Sequence, residues 1–406
     1  MSHDGGALLL GAADRALELT GRLADCFDDY RNPARCEHAV QALIAQRLFG
    51  IALGYEDLND HDTLRDDSLL ALALGCADVT GQSRQRERDK GHPLAGSSTL
   101  NRFELGTPEQ AAEDRYKRIV GDPQKLDWLL VQLYIDMQQE VPEQIVLDLD
   151  ASDDPLYGQQ EGRYFHGYYD CYCYLPLYVT CGRHVLSGQL RTADVDPAAG
   201  AVAELERIVG QIRQSWPQVR VIVRGDAGFC RDDLMRWCEG QQRVDYVFGL
   251  AQNARLKQGL QQQRERARRR GLASGQKSRR YRDFRYRTQA SWSRARRVVG
   301  KAEWLPGELR HHNLRFVVTS LTKQQWGPTS SCTSSCTVRG GIWRTGSRSS
   351  SWTCSRTARR RQRCGRTSCG CTGPCSRRRC WSGFAAGHWR ARNWRRRSSA
   401  RSGCCC

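Results

Sequence analysis

Apolar residues recur with helical spacing through the first 140 positions and then shift, from about residue 144, to short β-type runs. Val40, Leu43, Ile44, Leu48 and Ile51 form one apolar stripe, which predicts a helix over 38–53. The run 69–74 continues that character beyond the acidic loop 57–67. Ser98 and Thr99 are placed to cap a short helix through Phe103, and 126–137 has a further apolar face. The stretch 84–90 reads as a basic, polar linker. A helical N-terminal domain over 1–140 is the expectation.

The second part predicts an α/β fold. The runs 145–150 and 219–224 are apolar and rich in branched residues, as buried strands are. Between them, 164–169, 172–180 and 184–190 are rich in Tyr, Val and Leu and read as antiparallel strands following the first. Pro197 opens a helix to about 214, with Val202, Leu205, Ile208, Val209 and Ile212 on one face. A helix over 232–239 and a strand over 246–250 follow the strand 219–224. A meander whose first strand is joined by parallel strands through helical crossovers makes a mixed sheet with flanking helices. Beyond it, 264–270 predicts a solvated basic helix, 281–299 alternates as β-structure does, and 314–321 returns to a strand.

The net charge of +19 suggests a polyanion as partner, but its distribution changes the picture. Residues 327–406 hold 18 Arg and no Lys, Asp or Glu, leaving 45 basic and 44 acidic residues before them. Within that balanced body, 255–300 has 16 basic and 2 acidic residues. Arg264, Arg268, Arg269, Arg270, Arg279, Arg280 and Arg285 interleave there with Tyr281, Phe284, Tyr286 and Trp292. Such a surface suits phosphates and bases of DNA; the plain alternative is a solvated charged insert. Of 19 cysteines, 11 lie in the last 80 residues, in spacings unlike those of a zinc finger. No run of 18 apolar residues occurs, and the N-terminus lacks the layout of a signal peptide, so a soluble, cytoplasmic protein without a membrane partner is expected.

Chemistry concentrates where the two apolar runs end. The first closes on Asp150 and the second on Gly225-Asp226. A carboxylate at the exit of a buried strand needs a partner, and a divalent metal is one. Neighbouring strands lie about 4.8 Å apart, so two such exits can share metal ions suited to phosphoryl transfer. Oxygen ligands without a His/Cys cluster point to magnesium. Asp148 shares the face of Asp150 and reads as a second ligand or a structural acid. Asp153 and Asp154 read as a turn, His166 as a packed ring, and Arg224 as a screen for the acids or a phosphate contact.

Several motifs resemble one family. Leu-Asp-Leu-Asp-Ala-Ser (147–152), Tyr-Gly-Gln-Gln-Glu-Gly-Arg (157–163), Tyr-Leu-Pro-Leu-Tyr (174–178) and Arg-Gly-Asp-Ala-Gly-Phe (224–229) look like DDE transposases of bacterial insertion sequences. So do Gly54-Tyr55-Glu56-Asp57 and Ser98-Thr99-Leu100-Asn101-Arg102. The resemblance covers about 10–326. It implies a helical DNA-binding region (1–140) and a ribonuclease-H-like catalytic domain (141–326) with a basic, β-rich insert at about 255–310. It places Asp150 and Asp226 as the first two catalytic and metal-binding acids. Two magnesium ions, double-stranded DNA as partner, a homo-oligomer on DNA, and strand cleavage followed by transfer are implied with them. A metal-dependent nuclease of the same fold and a non-enzymatic DNA-binding protein are the alternatives.

The family's third acid is a glutamate on a later helix, in a Tyr-x2-Arg-x3-Glu setting. No acidic residue follows Glu308, and Val338 and Ile342 are the only Val, Ile, Leu or Met residues after 326. No apolar periodicity survives there, so 327–406 reads as a non-native, disordered tail and the chain as inactive. A shifted reading frame is one explanation. Codons built from the last base of one residue and the first two of the next permit Tyr or His at 336/337, Arg at 339/340 and Glu or Ala at 343/344. Tyr, Arg and Glu there make the missing motif at the family spacing. A frameshift near 326–332 is the expectation, and the gene's nucleotides test it: codons excluding this reading would sink it.

Overall fold

The computed structural model describes residues 4–107, 113–306 and 313–326. The expected disordered tail 327–406 and the end of the insert, 307–310, lie outside the described residues. The chain divides into two compact units, one through Leu129 and one from Leu130.

The first unit is built from short helices: α1 (Ala7–Leu17), α2 (Leu19–Ala24), α3 (Val40–Leu53), α4 (His61–Leu64), α5 (Ser68–Ala73) and α6 (Ser97–Glu104). A two-stranded antiparallel ribbon, β1 (Phe27–Asp29) with β2 (Ile119–Gly121), joins them. Helix α7 (Pro123–Asp136) spans the boundary along the chain. Phe49, Leu64, Leu70, Ala71 and Leu94 close the apolar centre. Arg47, whose side chain is 2% exposed, holds the surrounding segments: its Nε donates to Glu104 Oε1 at 2.5 Å and its Nη2 to the Glu56 carbonyl at 3.0 Å. Ser98 and Thr99 do not cap α6. The helix begins at Ser97, and Asp62, distant in sequence, accepts from the Ser97 N–H at 2.9 Å. A local pattern cannot show a cap supplied across the fold.

The second unit is organised by one eight-stranded sheet. Its strands are β3 (Gln144–Ala151), β7 (Leu177–Cys181), β8 (His184–Gln189), β9 (Arg220–Gly225), β10 (Val244–Leu250), β11 (Ser278–Tyr286), β12 (Arg296–Trp304) and β13 (Asn313–Thr319). A small second sheet has the order β4-β6-β5, from β4 (Asp154–Pro155), β5 (Tyr164–His166) and β6 (Cys171–Tyr174). The helices of this unit are α8 (Ala201–Ser215), α9 (Asp232–Gly240), α10 (Ala254–Gly259), α11 (Gln261–Ser274) and the one-turn α12 (Lys323–Trp326). The large sheet runs β11-β12-β13-β10-β9-β3-β7-β8. Strand β9 is parallel to both β3 and β10, whereas β7, β8 and β13 pair antiparallel to their neighbours. Apolar residues on both faces follow from this. Leu147, Leu149, Val221 and Val223 pack with Leu205, Ile208 and Ile212 of α8 on one face; Ile222, Val247, Val299 and Val317 pack on the other.

One predicted strand divides, and a predicted β-stretch resolves into a hairpin. The run 172–180 breaks at Leu175-Pro176, so β6 joins the small sheet and β7 the large one. Proline has no N–H to continue a ladder, and the Leu175 N–H turns to the Arg191 carbonyl at 2.8 Å. The stretch 281–299 is a hairpin, β11 and β12, and these strands extend the large sheet through β13. Helix α11 lies across them: a Cβ at Gly271 would stand 2.1 Å from Trp304, so only glycine permits this approach.

Candidate active site

The site begins with backbone register. β3 and β9 run parallel with Asp148 opposite Arg224 and Leu149 opposite Gly225, so the next step sets Asp150 beside Asp226. Leu147 and Leu149 point into the core, and alternation sends Asp148 and Asp150 to the opposite face. Both Asp150 and Asp226 are exposed at the sheet's edge.

Local hydrogen bonds orient each acid. Asp226 directly follows β9 in extended geometry and caps a one-turn 3-10 helix over Ala227–Phe229, its Oδ1 accepting from the Gly228 N–H at 2.7 Å. β10 passes close behind this turn. A Cβ at Gly249 would stand 2.9 Å from the Ala227 nitrogen, so the glycine lets the turn settle against the strand. Asp150 Oδ2 accepts from the Ser152 hydroxyl at 3.2 Å. Crowding by surrounding protein pushes the Asp150 carboxyl above its usual range although its surface still meets solvent. The Ser152 hydrogen bond opposes that rise, and the charges of Asp226 and Asp148 add to it. Excess negative charge gathered at one strand edge is the environment in which a divalent cation binds favourably.

Asp148 has a different partner. Arg224, 8% exposed, donates to it through Nε and Nη2, the latter at 2.5 Å from Oδ2. Arg224 thus screens Asp148. Asp154 opens β4, and burial raises its pKa. His166 is half-buried with its ring 4.9 Å from Tyr169. Among the described residues, no three His, Cys, Asp or Glu side chains converge into a metal-sized group. Asp150 and Asp226 fit a hard, oxygen-ligated cation and supply two carboxylates toward its shell.

Two tyrosines flank the acids without having been singled out as site residues. Tyr178 of β7 is the register partner of Asp150, on the side away from β9. Burial raises its pKa, and the charges of Asp154 and Asp150 act in the same direction. The Tyr169 hydroxyl donates to the Ala151 carbonyl at 3.1 Å. Its pKa rises through burial and through Asp153, Asp150 and Asp226. Tyr178 belongs to the 174–178 motif, a signal that was available; Tyr169 gave no such signal.

The basic candidates lie on α11 and β11. Arg264 and Arg270 are exposed on α11, while Arg268 and Arg269 share Glu265 at 3.1 and 2.9 Å. Arg279 pairs with the buried Glu303 at 2.6 Å. Arg280 is half-buried, and Arg285 donates to the Ala295 carbonyl at 2.7 Å. Glu303 also meets Lys277 and Lys301, and its carboxyl falls to about 2: burial opposes the fall, and Arg279 and Lys301 drive it.

A family model described as the transposase DDE domain, group 1, matches residues 1–334. The chain belongs to this transposase family. Comparison with curated proteins gives no match. DDE transposases generally use divalent metal ions and act on DNA. The family match ends at residue 334, beyond the last acidic residue, Glu308, and inside the Arg-, Ser- and Cys-rich stretch that begins after 326. Among the described residues, no helix is long and apolar enough to cross a membrane.

Proposed function

We propose that Asp150 and Asp226 are the first two catalytic acids of an insertion-sequence transposase and that this chain, lacking the third, does not complete strand transfer. The observation that carries the reading is the parallel register of β3 and β9, with both acids oriented at adjacent strand ends. The strand order β10-β9-β3-β7-β8 supports a ribonuclease-H-like core, since a three-stranded antiparallel meander is extended by two parallel strands. The helical first unit and the basic α11–β11 surface act in this reading as DNA-holding elements, on a homo-oligomer in the cytoplasm.

Asp150 and Asp226 would hold magnesium. When bound, such ions supply an activated water or 3′-hydroxyl and stabilise the leaving oxygen of a phosphodiester. The chain's own residues prepare this site. Ser152 and the Gly228 N–H fix one oxygen of each acid. Arg224 pairs with Asp148 and offsets part of its charge beside the two acids. Arg264 and Arg270, exposed on α11, attract phosphate at a distance and release counterions on binding.

The test uses purified full chain, a duplex carrying a 3′-hydroxyl donor end, and Mg2+. Binding that weakens steeply with salt, without joined product, is expected. Joining that disappears in Asp150→Ala or Asp226→Ala would overturn the inactivity claim while keeping the site. Joining unaffected by either substitution would overturn the site.

A further inference from the structure

The small β4-β6-β5 sheet and its connecting turns expose several large aromatic rings that the acids do not explain. Tyr157 is 57% exposed, Phe165 53%, Tyr168 83% and Tyr172 44%. The other side of this arm is closed by Cys173, Leu175 and Ala193, with Tyr169 packed against them, so the arm is a built structure with one side left open. Phe165 and Tyr172 are register partners, their rings edge-to-face at 5.5 Å, and the Arg163 guanidinium lies 3.9 Å from the Tyr172 ring centroid. A cluster of large rings costs solvation unless a ligand uses it.

Position and charge narrow the occupant. The arm is rooted beside the acids, because Tyr169 bonds the carbonyl of Ala151, the residue after Asp150. The Tyr168 ring stands edge-on to Tyr169 at 5.0 Å. Tyr168 is thereby linked through Tyr169 to the residue that follows Asp150. Between 153 and 174 the arm carries Asp153, Asp154, Glu161 and Asp170 against a single Arg163. That balance repels phosphates, so an outward-facing duplex backbone or an anionic membrane is a poor partner. Unpaired bases present neutral π faces, and aromatic rings with a stacked arginine bind them regardless of sequence.

We propose that this arm is a stacking platform for unpaired bases of the DNA strand that passes Asp150 and Asp226. The proposal rests on the transposase reading. Its test uses full-length protein and a 20-nucleotide single strand containing 2-aminopurine, beside the same sequence as duplex. The wild type is expected to quench the 2-aminopurine. Phe165→Ala with Tyr168→Ala should weaken single-strand affinity roughly tenfold or more while leaving duplex affinity and thermal melting unchanged. Tyr168→Trp should retain the quench. Unchanged single-strand affinity in the double variant overturns the platform, as does equal loss on both DNA forms. Lost self-association with strand affinity intact assigns the rings to a second copy of the chain and also overturns it. Wild type that binds duplex without quenching the single strand sinks the platform alone; wild type that binds no DNA sinks the transposase reading with it.

Discussion

A chain whose frame is restored downstream of residue 326 is expected to cut and join duplex DNA in Mg2+, and Asp150→Asn or Asp226→Asn in it to slow the reaction roughly a thousandfold or more. The restored frame permits Tyr, Arg and Glu at the positions now read as 336/337, 339/340 and 343/344. Where codon 343/344 reads Glu, it supplies a third carboxylate on a segment with helical apolar spacing. Two carboxylates leave a divalent ion's oxygen shell short of protein ligands, and the geometry around two displaced oxygens is then loosely held. Asparagine keeps the shape of each acid and removes its charge. The loss in those variants therefore reports charge at the metal site rather than misfolding. Product formation on a sequencing gel checks this. A folded, frame-restored chain with no magnesium-dependent product would sink the account of the tail.

The largest expected effect on stability lies elsewhere. Arg296→Met should cost about 3–5 kcal/mol, the range for removing one partner of a buried ion pair. The Arg296 side chain is 2% exposed and bonds Asp232 at 2.6 Å and Glu239 at 2.8 Å. Burial works against its charge, yet the hydrogen bonds it donates to Glu239 and Asp232 outweigh it and hold the guanidinium above its ordinary pKa. Glu239 keeps Arg294 at 2.7 Å and the Tyr246 hydroxyl at 2.9 Å, which places the loss toward the lower end. The network joins β12 to α9, so it fastens the added strands to the helix behind β10. Urea unfolding of the variant and wild type measures the difference. A loss below about 1 kcal/mol would show the network to be solvated.

Much of this architecture was legible because it is written locally. Strands β3 and β9, helix α8 and the acids that close each strand follow from apolar period and from the point where it stops. The parallel pairing of β3 with β9 followed from connection rules, since a helix intervenes between them. What was not legible depends on distant partners. Whether Asp148 binds metal or Arg224 depends on a register between residues far apart in sequence, and so does the cap that Asp62 lends to α6. The division of 164–180 between two sheets turned on Pro176, whose meaning within a Tyr-rich run was passed over. The alternation over 281–299 gave β-structure but not the turn at 287–295 that divides it into β11 and β12.

The central claim is that Asp150 and Asp226 form one cation site. Fe2+ in place of Mg2+, with ascorbate and peroxide, generates hydroxyl radicals that cut the backbone beside the bound ion. The account predicts cuts near the ends of β3 and β9, around residues 150 and 226, suppressed by excess Mg2+ and absent in Asp150→Ala/Asp226→Ala. Cuts that map elsewhere, or that persist in the double variant, would contradict it.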